Sequence, residues 1–419
     1  MPNKNFNIVV FGATSFVGQI LVRYLVDELP AQEPPLRWAM AARSASKLAE
    51  LKAEFGGRAD NVPELIIDAS NDEQLSMMCQ QTDVVISTVG PYAFYGEPLI
   101  KACVTHGTDY CDLTGETQWI KRMIDTYEGQ AKASGARIVH CCGFDSVPSD
   151  LGVKTLQQES VARFGSPLDR VVMGVKAMKG GASGGTIASL INVVEEAMAN
   201  PALKKQLANP YLLCPPGHPY KERQRTVKGS EFSDLHQAWC APFVMAAINE
   251  RVVHRSNACL DHAYGEHFRY SEGMLMGRGG RGRRRSLMTS FGLGSFMVAV
   301  AIKPLRKLLQ AFMLPKPGEG PSPAEQLAGF FDMRFVGQHA NGQTLAVKVT
   351  GDRDPGYGCT AKMLAQAALC LAFDHRNGEN KTGRLGGFWT PASMFDDRYV
   401  DRLKNFAGVE ITVLEQGEK

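Results

Sequence analysis

Through the first third of the chain, short apolar runs alternate with stretches of helical periodicity. Residues 8–11 are four consecutive apolar positions, Ile8-Val-Val-Phe11, the pattern of a strand buried on both faces. They enter a glycine turn, Gly12-Ala-Thr-Ser-Phe-Val-Gly18, and a helical pattern over 19–29. A second strand is predicted over 36–42. Helices are predicted over 46–55, 72–80, 97–106 and 119–134. Strands are predicted over 64–67, 83–88, 110–112 and 137–141. Alternation of this kind implies parallel strands joined by helical crossovers. The predicted fold is α/β: a Rossmann-type doubly wound parallel sheet over residues 1–148, with a second α/β (α+β) domain after it.

The pattern changes after Pro148-Ser-Asp150. Strands are predicted over 171–178, near 264–270, over 331–338 and over 344–350. Helices are predicted over 187–200 and 361–373, and residues 201–235 read as loop. Residues 149–380 are taken as the second domain, and 381–419, with Val409 to Leu414, as a segment returning to the first. One stretch, 278–314, stands apart. Arg278, Arg281, Arg283, Arg284 and Arg285 form a glycine-spaced basic cluster, residues 286–302 carry no charge, and Lys303, Arg306 and Lys307 follow. The uncharged run falls short of the ~20 residues that span a bilayer. Two readings stay open: shallow insertion at an anionic lipid surface, or an ordinary packing helix after a solvated loop.

In a doubly wound sheet, ligands bind at the carboxyl ends of the strands. Here those ends carry Gly12–Gly18, Arg43, Asp68, Thr88–Tyr92, Asp112–Glu116 and Cys142–Ser146. A strand, a glycine turn and a helix direct backbone N–H groups and the positive helix end at a phosphate. Glycines at 12 and 18 flank Ser15, which stands where such turns usually have a middle glycine; its hydroxyl is a candidate phosphate donor. The second strand ends in Arg43 rather than in an acid. An acid there would hold a ribose 2′-hydroxyl, whereas an arginine accommodates a 2′-phosphate. The expected cofactor is therefore NADP rather than NAD. The expected cofactor-binding residues are Gly12, Thr14, Ser15, Phe16, Val17, Gly18, Arg43, Ser44, Asp68, Thr88, Val89, Gly90 and Pro91.

Composition narrows the picture little. The chain has 419 residues, 44% hydrophobic and 21% charged, with a net charge of +3, so bulk charge gives no argument for a nucleic-acid partner. Ten scattered cysteines show no metal-ligand spacing and read as reduced thiols. The N-terminus runs straight into the first strand, which predicts no targeting peptide and a cytoplasmic protein, with the segment 278–314 as the feature that would bring it to a membrane periphery.

Several longer stretches resemble the saccharopine dehydrogenase-like oxidoreductases, including the bacterial trans-acting enoyl reductases. They are GATSFVG (12–18), AARSASKL (41–48), STVGPYAFYGEPLIKAC (87–103), GTDYCDLTGE (107–116), CCGFDSVPSDLG (141–152), SGGT (183–186), RDPGY (353–357) and GGFWTPASMF (386–395). The resemblance implies a Rossmann domain, a second α/β domain, NAD(P) use, and roles in lipid or glycolipid metabolism. Two departures stand out: Ser15 for the family's middle glycine, and Ala42 where a glycine commonly precedes the arginine.

Hydride transfer asks the protein for orientation, a dry site and a proton source. Tyr92 and Asp145 are the candidate catalytic residues, with Glu116 and Ser146 nearby. Each also has a structural reading: Tyr92 as a packed turn aromatic, Asp145 as a helix cap, Glu116 as a first-turn acid. The turn Gly184-Gly185-Thr186 suits either an anion or a close helix–strand contact, and His140 reads as a core histidine. The expected activity is NADPH-dependent reduction of a C=C bond in a lipid-like enoyl substrate at a lipid surface, by a chain for which a homodimer is compatible. The alternatives are a saccharopine-type amino-acid oxidoreductase and a non-catalytic nucleotide-binding protein at a lipid surface.

Overall fold

A computed structural model describes residues 4–32, 34–181, 183–316, 318–375 and 383–415. Two seven-stranded sheets organise it. The first contains β1 (Phe6–Phe11), β2 (Trp38–Ala42), β3 (Glu64–Ile66), β4 (Thr82–Ser87), β5 (Asp109–Asp112) and β6 (Arg137–Val139). Its spatial order is β3-β2-β1-β4-β5-β6, and every pair is parallel. The order reverses between β1 and β4, which opens a crevice above their carboxyl ends. Phe11 pairs with both Ala41 and Ser87, so the three central strands end level and release their loops into one space.

The second sheet is mixed. It is built from β7 (Arg170–Lys179), β8 (Glu231–Ser233), β9 (Ala238–Ala241), β10 (Arg269–Gly277), β11 (Phe330–Gln338) and β12 (Thr344–Gly351). Only β7 and β10 run parallel. The C-terminal part divides between the sheets. Strand β13 (Gly387–Trp389) adds to the first sheet beside β6, whereas β14 (Val409–Leu414) pairs antiparallel with β12 in the second. This corrects the expectation that Val409–Leu414 returns to the first domain. Its backbone completes the edge that β12 leaves open, with Ala346 opposite Leu414 and Gly351 opposite Val409.

Two further expectations are corrected. The strand expected near 264–270 lies at Arg269–Gly277. Asp261, His262 and Gly265 hold positive φ and bend the preceding chain into a loop, while Tyr264 and Phe268 pack their rings 5.5 Å apart as loop anchors. The glycine-spaced arginines form no loop; they open the helix Gly279–Ala301. Ser286 is buried there and its hydroxyl donates to the Cys240 carbonyl at 2.5 Å, tying that helix to β9.

The sheets share one continuous core. The helix Thr360–Leu369, rich in alanine, is buried at every residue and packs between the helix Phe16–Arg23 and the strands β4 and β5. Other ties cross the chain at long range. Buried Arg137 is paired with Asp109 and donates to the carbonyls of His375 (2.7 Å) and Leu371 (3.1 Å). Asp150 accepts from Ser256 Oγ (2.5 Å) and from the Ala392 amide (2.8 Å).

Beneath the second sheet lie two buried acids. Glu272 accepts from the Tyr270 hydroxyl at 2.7 Å and from Asn249 Nδ2 at 2.9 Å, and burial pushes its carboxyl up to about 7. Burial, reinforced by the Glu272 charge, pushes Glu250 up to about 8. A carboxyl raised in the folded chain binds its proton more tightly there than when unfolded. Its stabilisation is therefore full below the unfolded pKa near 4 and is lost as pH rises through the folded value. The urea midpoint is expected to fall between pH 5 and pH 8.5, and Glu272→Gln to narrow that fall; a variant with the parent's full pH dependence would contradict it.

Candidate active site in the crevice between the sheets

The nucleotide turn is locked from within. Gly12 has φ +89°, a conformation L side chains rarely adopt, and a Cβ there would lie 2.7 Å from Thr88 Oγ1. A Cβ on Gly18 would lie 2.9 Å from the Ala13 carbonyl oxygen, so that glycine permits the close approach of helix to strand end. Ser15 caps the helix Phe16–Arg23: its Oγ accepts from the Gly18 amide at 2.9 Å. Thr88 Oγ1 donates to the Gly12 carbonyl at 2.9 Å and lies 2.9 Å from Ser15 Oγ, a contact in which either hydroxyl can donate. Ser15 Oγ thus sits inside the turn, between the Gly18 amide and the Thr88 hydroxyl. The first-turn amides of Phe16 and Val17 have no intrahelical acceptors.

The other expected cofactor residues spread around this turn. Thr14 is half-buried at the turn's crest, and the Val17 side chain enters the core. Phe16 packs edge-on against Tyr357 of the second domain, ring centroids 5.1 Å apart, and against Gly320. Arg43 is exposed at the end of β2 and makes no hydrogen bond or ion pair with any described residue. Ser44 caps the helix Ala45–Ala53, accepting from the Lys47 amide at 3.3 Å. Asp68 accepts from the Ser70 hydroxyl (2.6 Å) and amide (2.8 Å); these bonds, and more weakly the Arg43 charge, hold its carboxyl below the usual range. Val89, Gly90 and Pro91 form the loop after β4, across from Gly12.

Tyr92 is corrected as a proton donor. It is buried, its hydroxyl donates to the Ser87 carbonyl at 2.9 Å, its ring packs on Trp119 at 5.3 Å, and burial raises its pKa well above the ordinary value. Glu116 is also occupied. It accepts from the amides of Tyr92 (2.8 Å) and Ala93 (3.0 Å) and from Ser189 Oγ (2.9 Å), anchoring a loop of the first domain to the helix Gly184–Ala199 of the second. His140 is a core residue, its Nδ1 lying 2.7 Å from Asp112. Ser146 donates to Asn249 Oδ1 at 3.1 Å.

Asp145 is different. It does not cap the helix Val147–Phe164, and it makes no hydrogen bond or ion pair with any described residue. A Cβ on Gly115 would lie 3.4 Å from its Oδ2, and its charge bears on Tyr92, Cys141 and Tyr357. Burial alone pushes its carboxyl up to about 7. Opposite it, Tyr357 lies within hydrogen-bond reach of the Ser183 amide and 2.8 Å from Thr186 Oγ1, bringing RDPGY and SGGT together. Sequence reasoning quoted both motifs but did not pair them; the signal available was that each combines glycines with a hydroxyl group.

Comparison with known proteins agrees with this geometry. Residues 8–139 match the family described as the saccharopine dehydrogenase NADP-binding domain. The chain is 37% identical to a putative trans-acting enoyl reductase of Mycobacterium tuberculosis over 97% of each chain. It is 34% identical to a trans-acting enoyl reductase of Mycobacterium leprae over 98% of each. Among solved structures, a saccharopine dehydrogenase (L-Glu forming) from Saccharomyces cerevisiae superposes with a TM-score of 0.53 at 13% identity, covering 98% of this chain and 100% of that one, a likeness of fold.

NADP fits the residues present. The close-packed turn leaves amides for the pyrophosphate, and the unpaired Arg43 beside a capped helix start suits a 2′-phosphate. Arg43→Ala is expected to weaken NADPH binding by roughly tenfold to a hundredfold, the loss of one charge-assisted contact, and to leave NADH binding unchanged. Calorimetric titration of both nucleotides at fixed salt checks it.

Proposed function

The chain belongs to the trans-acting enoyl reductases, within the saccharopine dehydrogenase-like oxidoreductases; it is an NADP-dependent oxidoreductase, and we propose that it reduces the carbon–carbon double bond of a lipid-like enoyl substrate. The observation that carries the proposal is the solitary Asp145 carboxyl, held near neutrality among apolar and aromatic neighbours at the joint between the sheets. NADPH, when bound, supplies hydride, which enoyl reduction requires at the β-carbon. Asp145 is the acid that delivers a proton to the α-carbon, so that hydride and proton together saturate the bond. The turn 12–18 and Arg43 bind and orient the nucleotide, and the Phe16–Tyr357 ring contact ties the turn to the second domain.

An amino-acid substrate brings carboxylates that ask for cations near the reacting centre. Asp145 forms no ion pair with any described residue, and desolvation raises its carboxyl to about 7. An acid with no cation paired to it favours an uncharged enoyl group over a saccharopine-type substrate.

The sign of the pH dependence follows. A general acid works protonated, so turnover is expected to be full below about pH 6 and lost as pH rises through about 7. Asp145→Asn is expected to lower kcat by roughly a hundredfold to ten-thousandfold, to keep NADPH affinity, and to abolish that pH dependence. NADPH oxidation with trans-2-enoyl thioesters of increasing chain length reads all three. No turnover with any enoyl substrate, or an unchanged pH profile in the variant, would overturn the reading.

A further inference from the structure

The helix Gly279–Ala301 and the helix Lys303–Phe312 meet at a bend of 107° and carry two opposite faces. Gly282, Ser286 and Val300, with half-buried Thr289, Leu293, Phe296 and Met297 between them, point inward at helical spacing. Leu287, Met288, Phe291, Val298, Ile302, Leu305, Leu308, Phe312 and Met313 point outward. Nine of the twenty-one large hydrophobic residues exposed among the described residues thus fall within 287–313. Phe291 is 78% exposed, Phe312 80% and Met313 77%. Apolar residues scattered singly over a surface need no explanation, but a continuous outward stripe does.

The charge around the stripe has one sign. Between Glu272 and Glu319 the sequence holds nine lysines and arginines and no acid. Arg306 alone of these turns inward, to pair with Glu195. The other eight are exposed, five of them on or just before the first turns of the helix that carries the stripe. No single helix among the described residues is long and apolar enough to cross a membrane, and the bent pair lies along the surface of the molecule.

We propose that residues 279–313 dock this protein on an anionic lipid surface, with Leu287, Phe291, Val298, Ile302 and Phe312 among the acyl chains and the exposed arginines and lysines among the headgroups. A second copy of the chain is a poorer occupant, because a two-fold contact would set one acid-free basic face against another. An anionic bilayer meets both faces at once, burying the apolar stripe while neutralising the cations around it.

The docked surface is linked to the crevice. Arg306 and Glu195 join the bent pair to the helix Gly184–Ala199, which begins at the Ser183–Thr186 contact with Tyr357 and reaches Glu116 through Ser189. Along that helix Ile187, Leu190 and Val194 are half-buried at spacings of three and four. An acyl chain leaving the bilayer beside Arg306 meets this apolar helix and is led toward Asp145. This last step rests on the enoyl-lipid reading; the docking does not, because lipid binding is measured without turnover.

Co-sedimentation of the full chain with extruded phosphatidylcholine vesicles, with and without roughly three parts in ten of phosphatidylglycerol, tests the proposal. The protein is expected to bind the anionic vesicles at least about tenfold more tightly than the neutral ones, with binding falling as salt rises. The double variant Phe291→Asp/Phe312→Asp is expected to lose about tenfold or more of that binding, and so is Arg283→Glu/Arg284→Glu. Both pairs are exposed, and unchanged NADPH affinity reports that each variant folds. No preference for anionic vesicles overturns the proposal, as does full vesicle binding by Phe291→Asp/Phe312→Asp. A concentration-dependent dimer that this variant abolishes, seen by analytical ultracentrifugation without lipid, also overturns it and assigns the stripe to a second copy.

Discussion

The buried helix Thr360–Leu369 is the constraint on which the rest of the structure depends. It follows the second sheet in sequence but packs on the first, so neither sheet can complete its core without the other. Alanines at 361, 365, 367 and 368 let its backbone come close, and its polar side chains are all met. Gln366 donates to the Tyr24 hydroxyl at 2.6 Å and Lys362 pairs with Glu28 at 2.6 Å. Its first residue reaches the active crevice directly. Thr360 Oγ1 accepts from the Phe144 amide at 2.9 Å, and a Cβ on Gly143 would lie 2.8 Å from Thr360 Cγ2. The loop carrying Asp145 is thereby held by a helix that is itself immobilised on all sides. A carboxyl with no hydrogen bonds of its own is positioned by its backbone neighbours.

That arrangement explains why two chemically different ends coexist in one crevice. Strands in the first sheet lie about 4.8 Å apart. Arg43, after β2, and Asp145, after β6, stand four strand spacings apart, or about 19 Å. The β2 side is polar and open to water, with Arg43, Ser44 and Asp68 exposed or half-buried. The β6 side is walled by Tyr92, Trp119, Phe144 and Tyr357; the Tyr92 and Tyr357 hydroxyls and the Phe144 amide are engaged there, whereas the Asp145 carboxyl meets no partner among the described residues. Desolvation there raises the carboxyl pKa, whereas the hydrogen bonds and charges around Asp68 lower it. Two aspartates at strand ends of one sheet are pushed in opposite directions by their surroundings.

How much of this was legible follows from which interactions are local. Strand β1, the turn 12–18 and Arg43 were legible because each is written in fewer than twenty consecutive residues. Ser15 shows the limit of such reading. Its presence in the turn was evident, but the hydroxyl it meets there, Thr88, lies 73 residues away. Tyr92 misled for the same reason: its position at a strand end is local, while the direction of its ring is set by Trp119. The edge pairing of β14 and the junction of Tyr357 with Ser183–Thr186 are contacts between distant segments, and apolar periodicity carries no register between such segments. Asp145 was legible as a residue at a strand end, but its isolation was not, since isolation is a property of everything that surrounds it.

An enzyme with an apolar substrate and a polyanionic cofactor must receive the two from different phases. Water carries the nucleotide, and the exposed Arg43 and the open turn stand on the side that water reaches. A long acyl chain is scarcely carried by water, because each buried methylene favours the apolar phase by about 0.8 kcal/mol. It has to be met where it already lies. The helix Gly184–Ala199 begins at the walled end of the crevice and ends beside the acid-free bent pair. On the enoyl-lipid reading the sheet order separates the two routes: the nucleotide would enter over β2 and β1, and the apolar chain from beyond β5 and β6. The core that both sheets share fixes Asp145 between them, and the ion pair of Arg306 with Glu195 is the direct link from the acid-free surface to the helix that would guide an acyl chain there.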